Sequence, residues 1–550
     1  MGLAQLDYIV LGIYAVSLLG IAWYVSREKP GHQKNTEDYF LAGKSLPWWA
    51  IGASLIAANI SAEQIIGMSG QGYAVGLAIA AYEWQAAIVL IIVAKYFLPI
   101  FLKRNIYTMP QFLESRYGSG VKTMMSFYWI ALFTAVNLTT VLWLGALAIN
   151  TLTGLALVPA MAALGAFAVA YSMYGGLKAV ALTDIIQVVI LIIGGLIIAW
   201  LTMGMIGGDG DVVGGFKRLY TELPGKFEMI FDKDHPAYGD LPGIWTLLGG
   251  LWVLHFSYWG FNQYIIQRAL GAKNIGEAQK GLVFAASLKL LMPLIIVLPG
   301  IAAIMLAAPE FGVLDKAVLD ASSDRAYPEV MKIMPAGLRG LIFAALIAAI
   351  VSSLASMMNS IATIFTMDIY RGWKPDRDDK HYVAVGRITS VVAIVLAVVM
   401  AKPFLGGLAS AFQTIQEYTG FIAPGVVAVF LLGMFWRRAN SQGAITMLVG
   451  SVGLSFIFWI LSKPDKLKGL GQSLLNMFQM ESLTISFVIR VWIVFLMCIA
   501  LGVVVSLLTG KPREDQPVAL RDINFKTTTG FNIASVVIAL ILIAIYAIFW

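Results

Sequence analysis

Cysteine and histidine are almost missing from this chain of 550 residues, which has 1 Cys and 4 His. Cys498 lies in the apolar run FLMCIALG, so neither a disulfide framework nor a thiolate metal site can be built, and the redox compartment stays open. There is no HExxH and no GxSxG on a strand-turn-helix elbow, which removes the usual supports for a metalloenzyme or a hydrolase. Charge is scarce too: 13% of residues are charged, against roughly 25% in soluble domains. No hydrophilic stretch exceeds about forty residues, too short for a separate soluble domain. Rings of repeated filter residues, the mark of a passive channel, are also missing. The net charge of +7 points to basic cytoplasmic loops in a membrane chain rather than to nucleic acid.

What the chain has in quantity is apolar sequence, 59% of its residues. At ~20 residues per span, about fourteen transmembrane helices are expected, near 7–26, 47–76, 80–101, 123–149, 152–174, 178–206, 243–267, 277–308, 337–367, 382–402, 407–436, 442–462, 482–510 and 529–550. The first has no basic lead and is followed by SREKPG, so it reads as a retained span and not a signal peptide. If the amino terminus faces outward, the inner loops carry about twice the Lys and Arg of the outer ones, Lys103, Arg104, Arg116, Arg268 and Arg437 among them. Both termini are then outside. The longest outer loop, from GGDGDVV to HPAYGD, is net acidic, which is compatible with that side.

Ionisable residues at membrane depth are costly and usually face a cavity or a partner. Here they are Glu63, Glu83, Asp184, His255, Lys289 and Glu417; Lys95 and Arg490 read as snorkelling side chains near span ends. Glu63 sits in LIAANISAEQIIGMSGQG, residues 55 to 72, where Gly67, Gly70 and Gly72 weaken a helix and Asn59 and Ser61 compete for backbone partners. A helix break is expected there, with freed carbonyls available to a cation or substrate. Close packing of small residues is the competing explanation for the glycines. In LIAAIVSSLASMMNSIATIF, residues 346 to 365, the Ala349 carbonyl and the Ser352 and Ser353 hydroxyls fall on one helix face as neutral hard oxygens, a set that suits sodium.

YSMYGGLKA (171–179) with TDIIQ downstream resembles the signature of the solute:sodium symporter family. NTEDYFLAGKSLPWW, SLIAANISAEQ, YWGFNQYIIQR and VSSLASMMNS resemble that family's bacterial sodium/galactose branch, over nearly the whole chain. The resemblance implies an all-α, LeuT-like core of two five-helix repeats in inverted topology, about 47–206 and 243–436, with span 7–26 and spans 442–550 peripheral. It implies co-transported sodium held by the Ala57, Ile60 and Ala349 carbonyls and the Ser352 and Ser353 hydroxyls, with Asp184 along the ion's exit route. It also implies a sugar bound by Asn59, Gln64, Glu83, Lys289 and Gln416, with Tyr258 stacked on the ring as inner gate and Met68, Tyr82 and Phe412 as an outer cap. His255 stands where that branch has asparagine and Ala86 where it has serine; His255 can still make one bond to a hydroxyl. The expected activity is sodium-coupled symport of galactose or glucose across a bacterial inner membrane. A polyol such as myo-inositol is the alternative.

Overall fold

The computed structural model describes residues 3–26, 41–104, 106, 108–406, 411–462, 485–510, 520 and 523–550. The NTEDYF part of one motif, at 35–40, lies outside them, as do the side chains of 173–182 in the YSMYGGLKA signature. The described chain is helical, and 10 of its helices are long and apolar enough to cross a membrane, or 11 if one sharply bent pair counts as a span. Three other expected spans fall on shorter or interrupted elements: Gln5–Ser26, the first arm of Leu157–Gly207, and the segments between Gly250 and Leu270.

The helix Leu157–Gly207 has 51 residues, which would be about 77 Å if straight, more than twice a ~30 Å bilayer core. It doubles back, because the Tyr171 hydroxyl meets that of Thr183, twelve residues on and ~18 Å away in a straight helix. The 152–174 and 178–206 spans are its two arms.

The expected break is present: Trp48–Asn59 and Glu63–Ala74 are bent by 60°. It falls at Asn59 and Ser61, the polar part of the expected cause, and not at the glycines. The Ile60 N–H still reaches the Ile56 carbonyl at 2.7 Å, but the Ser61 N–H turns to the Asn59 carbonyl, so the Ala57 carbonyl loses the donor a continuous helix would give it. Ser61 then caps a new helix, its hydroxyl accepting the Glu63 N–H at 3.2 Å in the S-x-x-Q pattern Ser61 to Gln64. A second break uses the same device. Asn262 is extended (φ −75°, ψ 125°) and its side chain accepts the Tyr264 N–H at 3.2 Å, starting Gln263–Leu270.

The glycines serve packing, as the competing explanation held. A Cβ on Gly72 would lie 2.6 Å from the Val297 carbonyl oxygen, and one on Gly300 2.1 Å from that of Ser69, so Glu63–Ala74 and Ile275–Leu306 touch backbone to backbone. Gly300→Ala must force these helices apart, with an expected loss of about 1–3 kcal/mol. Thermal unfolding in detergent checks this, and a variant as stable as the parent would show that the contact has room.

Leu338–Trp373 is the central helix, almost wholly buried, whereas Thr529–Ile548 is largely exposed at the edge of the bundle. Two basic residues read as loop charges are interior. Arg116 binds the carbonyls of Gly433 (3.0 Å), Trp436 (3.1 Å) and Arg437 (3.2 Å), closing the end of Ala411–Phe435. Arg268 is fully buried. Arg490 does not snorkel: it is buried and pairs with Glu417 at 3.2 Å, which also takes Glu417 out of the set of unpaired membrane-depth acids.

Candidate functional site

Both breaks open onto one internal cavity. Asn59, Gln64, Glu83, His255, Tyr258, Lys289 and Gln416, the whole expected sugar set, line it. Three stretches of widened, π-type helix supply parts of its wall: Glu63–Met68, Leu132–Leu138 and Phe256–Phe261. Such turns carry an extra residue and redirect side chains, and they recur at functional sites.

Lys289 is the electrostatic centre. Its ammonium donates to Glu83 at 2.6 Å and to the Asn59 side-chain oxygen, and lies 4.8 Å over the Trp259 ring. Lys289 and Glu83 side chains are each 1% exposed, so each charge depends on the other. From Asn59 the bonds continue: its amide donates to the Tyr258 hydroxyl at 3.2 Å, which also accepts from Tyr264 at 2.7 Å. On the opposite side Tyr82 meets Phe412 edge-on at 5.4 Å and His255 at 6.2 Å between ring centres. Of the expected outer cap, Tyr82 lines the cavity, while Phe412 and Met68 are buried behind it, with Phe412 packed on Gly67.

Six buried polar atoms on the lining residues have no partner among the described residues: Glu63 Oε1, Glu83 Oε1, His255 Nε2, the Tyr82 hydroxyl, Trp129 Nε1 and Asn137 Oδ1. Buried polar atoms are normally satisfied, so donors and acceptors left open around one space describe a ligand rich in both.

The helices that carry the expected sodium residues also touch. The Ser353 hydroxyl donates to the Ala58 carbonyl at 3.2 Å, next in sequence to Ala57, while Ile60 stands at the break and Ala349 one turn before Ser353. Ser352 donates to Asp184, which also accepts from Ser54 at 2.6 Å. The Arg268 guanidinium completes this group, donating to Ser54 (2.6 Å), Ser356 (2.6 Å) and Asp184 (3.5 Å) and to the Tyr264 carbonyl. Asp184 is thus bonded directly to one of the expected ion ligands. Arg268 carries no local sign of burial, because it sits near the end of an interrupted span, where a basic residue looks like a loop residue. Glu63 stands out in the sequence by its depth and by its neighbours Asn59 and Gln64, whereas Trp129 and Asn137 carry no signal there.

A helical bundle whose two capped breaks face a buried polar cavity has the architecture of a secondary transporter. The chain belongs to the Sodium:solute symporter family, whose pattern matches residues 39–450. It is 48% identical to a sodium/glucose cotransporter of Vibrio parahaemolyticus over 100% of this chain and 99% of that one. A sodium/myo-inositol cotransporter 2 of Oryctolagus cuniculus is 32% identical, over 83% of this chain and 70% of that protein. Among solved structures, a sodium-coupled sialic acid symporter in a substrate-bound, outward-open state aligns with a TM-score of 0.76 at 20% identity, covering 93% of this chain and 99% of that one. The fold is therefore the LeuT type, and the protein is a multi-pass, sodium-coupled symporter, not an enzyme.

Proposed function

We propose that this chain carries galactose or glucose inward with sodium across a bacterial inner membrane, with both termini outside. The observation that carries the hexose reading is the set of unpartnered buried donors and acceptors on residues that line one cavity with the Lys289–Glu83 pair and Tyr258. A hexose offers hydroxyls that donate and accept, and an apolar C–H face for an aromatic ring. The full-length similarity to a sodium/glucose cotransporter supports hexose over myo-inositol. In this reading 47–206 and 243–436 are the two repeats that rock against each other, Tyr258 gates the inner exit, and Tyr82 with Phe412 and Met68 closes the outer one. Sodium between Ala57, Ile60, Ala349, Ser352 and Ser353 would fix the broken helix and preform the sugar cavity, and Asp184 would guide its exit. The test is uptake of labelled galactose into proteoliposomes under a sodium gradient, with glucose, galactose and myo-inositol as competitors. Competition by inositol alone would replace the hexose by a polyol.

Ser353→Ala separates the two ligands. It removes one hydroxyl from an uncharged ion shell while leaving every sugar contact in place. Sodium-driven uptake should collapse, and the sodium-dependent gain in sugar affinity, a coupling of about 1–3 kcal/mol, should vanish. Sugar titrations with and without sodium read it. An unchanged sodium response would make Ser353 a packing residue.

A further inference from the structure

We propose that the helix Val212–Glu222 lies in the interfacial layer of the bilayer, with Val213, Phe216 and Tyr220 seated among the lipids. At about 100° of rotation per residue, its side chains fall into three sectors. Gly215 and Leu219 are buried against the protein. Gly214, Lys217 and Thr221 make a polar stripe, with Lys217 and Thr221 exposed. Between these two runs an apolar stripe of Val213, Phe216 and Tyr220, spaced by three and four residues and 67%, 37% and 43% exposed. A helix lying between protein and water needs only two faces; a third, apolar face calls for an apolar solvent.

The depth of the helix names that solvent. Val212–Glu222 folds back along the span before it: a Cβ on Gly215 would collide with the Met203 carbonyl, and Arg218 donates to the Ile206 carbonyl at 3.4 Å. Met203 is four residues, about 6 Å, short of the end of Leu157–Gly207, so Val212–Glu222 lies beside the last turn of a membrane span and not above it. That arm turns Ile193, Leu196 and Trp200 outward, all exposed. The stripe also runs into the end of the last span, Thr529–Ile548. Phe216 and Tyr220 meet Phe227 edge-on at 5.8 and 5.2 Å, Phe227 meets Phe549 at 6.1 Å, the Met229 N–H donates to the Phe549 carbonyl at 2.8 Å, and Trp550 is 61% exposed. Aromatic rings gather at this level of a membrane, where one end can be apolar and the other wet. The patch is therefore continuous with the lipid-facing surface of two spans, and the partner it fits is the lipid interface, the outer leaflet in the orientation proposed above.

The lipid-seated element reaches the transport core. Four residues past the helix, the Lys226 ammonium donates to the carbonyls of Ala74 (2.7 Å) and Tyr73 (3.3 Å), the last two residues of Glu63–Ala74. It thus caps the half-helix that leads away from the first break.

The test uses the full-length protein in proteoliposomes. Val213→Cys, Phe216→Cys and, as the water-side control on the same helix, Thr221→Cys are each labelled with a small environment-sensitive fluorophore, after each is shown to unfold within a few degrees of the parent. Cys498 is buried and is the one native thiol, so the parent treated in the same way gives the background. Lipids carrying bromine on the acyl chains quench labels in the membrane, and iodide quenches labels in water. The labels at 213 and 216 should be quenched by brominated lipid about threefold or more above the label at 221, and by iodide about threefold less. Three labels equally open to iodide and untouched by bromine would place the helix in water. Labels at 213 and 216 shielded from both quenchers would show the stripe covered by protein, a second copy of the chain included. Either result overturns the proposal.

Discussion

Lys289→Ala should abolish measurable sodium-driven sugar uptake, and it should do so in two ways that can be separated. Removing the ammonium leaves Glu83 as a lone carboxylate, 1% exposed, and strips the Asn59 side-chain oxygen of its donor. Breaking a buried ion pair typically costs about 3–5 kcal/mol, because the remaining charge has no water to return to. The second loss is that of the ligand group itself. A double variant, Glu83→Leu with Lys289→Met, tells them apart: apolar residues of similar volume often replace a buried pair without loss of stability. The double variant should unfold at close to the parental temperature and still transport nothing. If Lys289→Ala kept parental sugar affinity, the pair would be scaffold and the binding site would have to be sought elsewhere in the cavity.

Arg268→Met should have the largest effect on stability. The guanidinium is fully buried, and its four hydrogen-bond partners come from three other helices and its own. Without it, Asp184 keeps, among the described residues, the Ser54 and Ser352 hydroxyls and must either hold an uncompensated charge or take up a proton. A penalty of about 3–5 kcal/mol is expected, read as a lowered unfolding temperature in detergent. Adding Asp184→Leu should recover most of it. Should Arg268→Met melt with the parent, the guanidinium is dispensable to the fold and its contacts are incidental.

Much of this site was legible because ionisable residues are so rare in the spans. Glu83, Lys289, His255 and Asp184 stand out by depth alone, and the family resemblance adds Asn59, Gln64, Tyr258 and Gln416 to them. What stayed hidden depends on three-dimensional partners. Arg116 and Arg268 lie near the ends of apolar runs, where nothing in the local sequence separates a buried cap from a solvated loop charge. The break in 48–74 is expected from Gly67, Gly70 and Gly72 together with Asn59 and Ser61; it falls at Ser61, whose hydroxyl caps the new helix, while the glycines make room for Val297, Ser323 and Phe412. Trp129 and Asn137 belong to a span that reads as plain apolar helix. The widened stretch Leu132–Leu138, which contains Asn137, forms that part of the cavity wall, and a single widened turn leaves no periodicity to detect.

Those widened turns bear on how such a carrier can move at all. Each holds one residue more than an α turn, so tightening it would rotate everything on one side of it by about 100° and lengthen the helix's reach by about 1.5 Å, with nearly every backbone hydrogen bond re-formed. The walls that hold Glu63, Asn137 and Tyr258 each contain such a turn within the cavity lining. A substrate-facing side chain can therefore be swung out of the cavity by a local change of helical register, with the packed helices Ile275–Leu306 and Leu338–Trp373 held still as the frame against which it turns.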